Sequence, residues 1–374
     1  MRGSIKILSI RGINLYMHWT LFLLAGWVAI VNGQLGNDIF QLFWSILFLL
    51  AVFACIALHE LGHALMARRF GIKAHDIVLL PIGGIASIEK FPDNPRQELL
   101  ISMAGPLVNI FIAVIIYLIL PDGTSLMRSP ANFGSSAATT SLADLGTVNI
   151  ALAVFNLIPA FPMDGGRILR ALLGFRLNYI QATTIAANIG KLFAILFIVA
   201  GILFINLFLP LIGIFIFLAA GTEEYYLRLK SLAKNVKLSE VVMYEYNGLQ
   251  AGMLVQEAAN ILMTNHSKYF LLMEANAPVG VLNRLVIVKA MAEKRYGKTL
   301  KELSYEKPEY LNANDAVEDV LEKLARNDER IFPVMDHAHF TGVVSLNHII
   351  EYLLIHKADT QDFERLKSLV TLMH

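Results

Sequence analysis

The 374-residue chain is 56% hydrophobic and 16% charged, with a formal net charge of +1 and one cysteine, Cys55. That apolarity excludes an ordinary soluble domain, the near-neutral charge argues against direct nucleic-acid binding, and one cysteine excludes an intrachain disulfide framework. An integral membrane protein is what remains, with Cys55 as packing inside an apolar helix.

The amino end, MRGSIKILSIRGINLYMHWTLFLLAGWVAIV, sets basic residues ahead of an apolar run in the manner of a signal peptide. No small-residue cleavage site follows, and His18 and Trp19 open the run, so an uncleaved first helix is expected. Apolar segments fall at about 15–32, 39–67, 99–120, 141–160, 182–205 and 207–222. Most approach the roughly 20 residues that cross a hydrocarbon core of about 30 Å. Leu192 to Ala220 as one helix would be about 43 Å long, too long to span without steep tilt. Asn206 and Pro210 offer a turn there. Six spans put both ends on one side, and the basic residues agree: Arg2, Lys6 and Arg11, then Arg68, Arg69 and Lys73, then Arg167, Arg170 and Arg176, then Arg228 and Lys230 share a face. The positive-inside rule makes that face cytoplasmic. The opposite loops carry one basic residue, Arg128.

The second apolar run ends in ACIALHELGHALMAR, Ala54 to Arg68. Residues four apart share a helix face, so His59 and His63 can offer imidazole nitrogens to one metal ion with Glu60 beside it. Zinc in a catalytic site takes a third protein ligand and keeps a position for water, whose pKa falls towards about 7. Glu60 is then the general base that takes the water's proton and passes it to the leaving amine. The plainer alternative is a pair of histidines reaching the headgroups. Against it, three ionisable side chains in the membrane cost on the order of 2.5–3.5 kcal/mol each, which a bound metal offsets.

A third ligand is sought in FNLIPAFPMDGGRILRAL, where Asp164 stands between Pro162 and Gly165-Gly166. A broken helix at membrane depth is tolerated only where it is buried in protein or lines a watery cavity. An ordinary turn with a capping aspartate before GRILRALL is the competing reading. Since the second and fourth spans exit on the same side, Asp164 and His63 reach similar depth. Asn156 is an oxyanion donor or a helix-ending cap. LLPIGGIASI is strand-like around Gly83 and Gly84: a free edge to hold an unwound substrate, or a hairpin plugging the cytoplasmic mouth. Gly105 and Asn109 are expected as close helix packing and an interhelical hydrogen bond, and His18 and His75 as interfacial.

Beyond about Leu232 the composition turns soluble and a repeat appears. YFLLMEANAPVGVLNRLVIVKAM aligns without gaps onto IFPVMDHAHFTGVVSLNHIIEYL at an offset of 62, from Phe270 to Phe332 and Gly280 to Gly342. Each copy reads as helix, strand, turn, strand, helix, with Asn314 or Asp315 capping the second copy's first helix. The pair resembles cystathionine-β-synthase (CBS) motifs, which imply one pseudo-symmetric regulatory module that often binds adenine nucleotides. The Ser/Thr position of that family's nucleotide signature holds Asn283 and Ser345, and its ribose-binding aspartate is replaced by Val286 and His348.

HELGH followed by NLIPAFPMDGG, with SMAGPLVN and PIGGIAS between them, resembles the site-2 protease family of intramembrane zinc metalloproteases, in its bacterial-type branch with a carboxyl-terminal CBS region. The likeness covers most of residues 1–230. It implies His59, His63 and Asp164 as ligands of one Zn2+ and Glu60 as the catalytic glutamate, with Asn156 and Pro162 near the substrate. It further implies regulated cleavage of a membrane-tethered protein, such as a sigma factor, an anti-sigma factor or a transcription-factor precursor. The expected architecture is a polytopic α-helical membrane domain over 1–230, of about six transmembrane helices, and a cytoplasmic α/β CBS pair over 231–374. Competing readings are a CBS-gated metal-ion transporter, for which broken-helix symmetry repeats are missing, and an inactive scaffold, which the intact Glu60 disfavours.

Overall fold

A computed structural model describes residues 3–36, 38–81, 83–88, 94–120, 138–246, 248–265, 267–325, 330–337 and 339–358. Arg128 and Ile82 of PIGGIAS lie outside them. The chain divides into two units, Met1–Glu224 and Tyr225–His374.

The first unit opens with strands β1 (Ser4–Ile10) and β2 (Ile13–His18), and only then comes helix α1 (Thr20–Gln34). The expected first span therefore starts late. Ile13, Leu15 and Met17 alternate with Asn14, Tyr16 and His18, a period-two pattern that turns the apolar set onto a core with Leu21, Phe53, Ala64, Ile77 and Leu79. Helix α2 (Ile39–Arg69) follows, capped by Asp38, whose carboxylate accepts from Gln41 N at 2.8 Å. At 31 residues it is about 46 Å long, more than the roughly 30 Å of a hydrocarbon core.

Strands β3 (Ala74–Leu80) and β4 (Gly83–Ile88) complete a sheet of order β1-β2-β3-β4. The β2–β3 pair is parallel, as the intervening helices permit, and the other two pairs are antiparallel. Arg68, at the end of α2, donates from its guanidinium to the carbonyls of Arg11 and Gly12, tying the β1–β2 turn to that helix. Next come α3 (Pro95–Ile119), α4 (Ala138–Leu157), the short α5 (Asp164–Gly174), α6 (Tyr179–Leu203) and α7 (Phe208–Leu232). Among the described residues α2, α3, α6 and α7 are long and apolar enough to cross a membrane, while α1 and the stretch Leu142–Leu157 of α4 are shorter. The break between α6 and α7 falls where expected: Asn206 Oδ1 accepts from Phe208 N at 2.9 Å and Leu209 N at 3.3 Å.

The second unit begins in the last turns of α7 and continues with the one-turn helix α8 (Leu238–Val241). Its first copy is β5 (Gly248–Gln250), α9 (Val255–Thr264), β6 (Tyr269–Glu274), β7 (Ala277–Asn283) and α10 (Arg284–Ala292). The second copy is β8 (Leu311–Asn312), α11 (Val317–Ala325), β9 (Phe332–Asp336), β10 (His339–Val344) and α12 (Leu346–His356). Both sheets pair a parallel first strand with an antiparallel hairpin. The copies meet reciprocally: Met243 pairs with Val343 of the second, Glu306 with Val281 of the first, and Leu271, Met273, Val281 and Val343 share a buried cluster. In the turn before α11 the Asp315 carboxylate accepts from Asn312 N at 3.1 Å.

Candidate metal centre

The helical spacing of HELGH stacks the rings of His59 and His63 on one face of α2, both buried, with centroids 4.8 Å apart. The break that starts α5 brings Asp164 to them as the helix's first residue, where a negative charge also complements the helix dipole. His59 Nε2 lies 3.1 Å from His63 Nε2 and 3.2 Å from Asp164 Oδ2, and His63 Nε2 lies 3.1 Å from the same oxygen. These three residues form the one group of metal-capable side chains among the described residues.

Ligand bonds of about 2.0–2.1 Å to a tetrahedral zinc place neighbouring donors about 3.3–3.4 Å apart, so the triangle is close to the size that ion requires. The proton inventory agrees. His63 Nδ1 is 2.7 Å from the carbonyl of Ile101, which can only accept, so Nδ1 carries the hydrogen and Nε2 turns its lone pair to the centre. His59 Nε2 faces that lone pair at 3.1 Å. His59 Nδ1 is buried without a hydrogen-bond partner among the described residues.

Two glycines make the room. A Cβ on Gly105 of α3 would run into His63 Nε2 and stand 2.6 Å from His59 Nε2. A Cβ on Gly84 would stand 2.5 Å from Glu60 Cγ, so β4 passes directly against the glutamate between the two histidines. Gly83, at φ +137°, adopts backbone that other residues rarely take. β4 is an end strand of its sheet, which leaves its outer edge without a strand partner in that sheet.

The remaining expected residues are placed less directly. Asn156 Nδ2 donates one of its two hydrogens to Leu152 O at 3.0 Å, which leaves the other N–H of the amide for an oxyanion role. Pro162 is exposed in the loop before Asp164. Asn109 is fully buried, yet neither amide atom has a hydrogen-bond partner among the described residues, so the expected interhelical bond is not formed. In the second unit Asn283 Oδ1 accepts from Leu285 N at 2.8 Å and Ser345 Oγ from His348 N at 3.3 Å: both nucleotide candidates are helix caps. Arg170, expected among the basic residues of the cytoplasmic face, is 2% exposed and paired with Glu98, itself 1% exposed. A lone glutamate at the start of α3 gives no sequence signal that it is half of a buried pair.

Apolar helices long enough to cross a membrane, with two histidines of one of them and the carboxylate of a short neighbouring helix forming a donor set beside a glutamate, define the class of membrane-embedded metallohydrolases. Residues 47–134 and 123–199 match peptidase family M50, and residues 300–355 match the CBS domain. A zinc metalloprotease of Methanocaldococcus jannaschii is 33% identical over 357 residues, 95% of this chain and 97% of its own length. Stage IV sporulation protein FB of Bacillus subtilis is 27% identical over 179 residues, 48% of this chain and 58% of its own. The solved site-2 protease from Methanocaldococcus jannaschii shares 38% identity over 59% of this chain and 95% of that one, with a TM-score of 0.43. The chain belongs to peptidase family M50: it is a membrane zinc metalloprotease of the site-2 protease kind with a carboxyl-terminal CBS region.

Proposed function

We propose that the protein hydrolyses a peptide bond within or near the transmembrane segment of a membrane-tethered protein, at one zinc ion held by His59, His63 and Asp164. The observation that carries this is the triangle of 3.1, 3.1 and 3.2 Å among their donor atoms. When bound, zinc supplies Lewis acidity toward the attacking water and the scissile carbonyl. Glu60 takes the proton of that water and returns it to the leaving amine. Peptide groups in a helix are shielded and already hydrogen-bonded, so the substrate unwinds first. The outer edge of β4 at Gly83 and Gly84 holds the unwound stretch by strand addition, against Glu60. Asn156 serves the developing oxyanion with its second amide hydrogen, and Pro162 stands in the loop before Asp164.

The orientation that fits the basic residues puts both termini and the CBS pair in the cytoplasm, with the centre near the cytoplasmic end of α2. His63 is six residues, about 9 Å, from that end. Substrates of this kind include a sigma factor, an anti-sigma factor or a transcription-factor precursor. The CBS pair docks the soluble part of the substrate or gates access. Asn283 and Ser345 are committed to caps and the ribose carboxylates are replaced, which favours docking over adenine-nucleotide sensing.

The test is Glu60→Gln in the full-length protein with a co-expressed tethered substrate. Zinc content is expected to hold at one per chain while cleavage falls by roughly 10²–10⁴-fold, the range of a lost general base. Undiminished cleavage would falsify the mechanism, and crosslinking through the same variant identifies the trapped substrate.

A further inference from the structure

We propose that Arg170 is a positioning residue for the third metal ligand: its buried pairing with Glu98 fixes the rotation of α5 and so holds Asp164 at the histidine pair. This rests on the reading of Asp164 as a zinc ligand.

Asp164 reaches the centre from a loop broken by prolines and glycines, on a helix of only 11 residues. Such a segment has little of its own to set where its first side chain points. Arg170 supplies the reference. Its Nε donates to Glu98 Oε1 on α3 at 2.8 Å, its Nη2 donates to the same oxygen, and its Nη1 donates to Glu223 Oε1 on α7 at 2.8 Å. The guanidinium lies 5.1 Å from the ring centroid of Phe161, in the loop before Asp164, and 4.9 Å from that of Tyr179, at the start of α6. One side chain thus joins α5 to α3, α6, α7 and the ligand's own loop.

The anchor on α3 also serves the other half of the centre. Three residues after Glu98, the carbonyl of Ile101 accepts from His63 Nδ1. The first turns of α3 therefore hold His63 directly and Asp164 through Arg170, referencing ligands from α2 and α5 to one rigid segment. Buried ion pairs are weak devices for stability, because apolar residues of like volume often do as well; their better-attested use is to fix one register among several. The planar fork of arginine suits that use, and a lysine's point charge does not.

The experiment uses full-length protein in detergent, stripped of metal and titrated with Co2+ as a spectroscopic probe, with Zn2+ affinity from chelator competition and unfolding temperature of the metal-free form. Arg170→Lys keeps the charge and loses the fork; it is expected to weaken Zn2+ binding about 10–100-fold and to shift the Co2+ ligand-field band. Glu98→Gln, which keeps size and an acceptor, is expected to move both readouts the same way by less, and decides the matter if the lysine variant does not fold. Lys191→Gln removes a comparable pair, Lys191 with Glu224 at 3.0 Å between α6 and α7, and is expected to leave affinity and band unchanged. Wild-type affinity and band in the folded Arg170 or Glu98 variants overturn the proposal. So does an equal loss in Lys191→Gln, which would mark the effect as general destabilisation. Asp164→Ala retaining the wild-type band and affinity instead overturns the ligand reading beneath it, independently of what Arg170 does.

Discussion

Gly105→Ala adds one methyl group at the point where α3 touches both imidazoles. Its Cβ would stand 2.6 Å from His59 Nε2, and ordinary contact begins at 3.4 Å, so that ring would retreat by about 0.8 Å (3.4 − 2.6), and the His63 ring by more. Withdrawal of α3 is no escape, because it carries the Ile101 carbonyl away from His63 Nδ1. Metal–ligand distances tolerate only about 0.2 Å, so the displacement is several times what the site can absorb. The expected result is a loss of zinc affinity of about 100-fold or more, beyond that of a typical supporting contact, together with loss of cleavage. The assay is equilibrium dialysis of full-length protein against chelator-buffered zinc, with metal counted per chain. Gly26→Ala is the control: a Cβ there meets nothing within 4 Å, and zinc binding should be unchanged. A Gly105→Ala protein that binds zinc as tightly as the parent refutes the placement of the metal between His59, His63 and Asp164.

Gly84→Ala presses on Glu60 Cγ rather than on a ligand, so zinc affinity should hold while turnover falls at least about tenfold; a matched loss of zinc would contradict the separation of base from ligands. Asn206→Ala removes the side-chain oxygen that caps α7 and should cost about 1 kcal/mol, read as a lower unfolding temperature; no change would show the turn is set by Pro210 alone. Asn283→Ala should destabilise the CBS unit by about 1 kcal/mol, and ATP should leave the melting of the parent unmoved; an ATP-dependent rise in the parent that the variant loses would reinstate nucleotide binding at that position. Deleting residues 235–374 should change cleavage rate or selectivity for the native substrate, and an unaltered profile would remove the CBS pair from the reaction.

The sequence by itself determined what depends on spacing along one element. His59 and His63 share a face because they are four apart on a helix, Asn206 marks the turn between two helices because its side chain accepts from the first backbone donors of the second, and a 62-residue offset produces two copies of one topology. The first strands were legible in principle, since Ile13, Leu15 and Met17 alternate with polar residues, but basic residues ahead of a long apolar run masked a period-two signal only six residues long. What the tertiary structure decided is what lies opposite what. Asp164 comes within 3.1 Å of a histidine 101 positions away, Gly84 lies against Glu60, and Arg170 is buried in a pair with Glu98. None of these follows from local pattern, because each depends on the close approach of separate elements, set by packing a whole bundle rather than by any one stretch of chain.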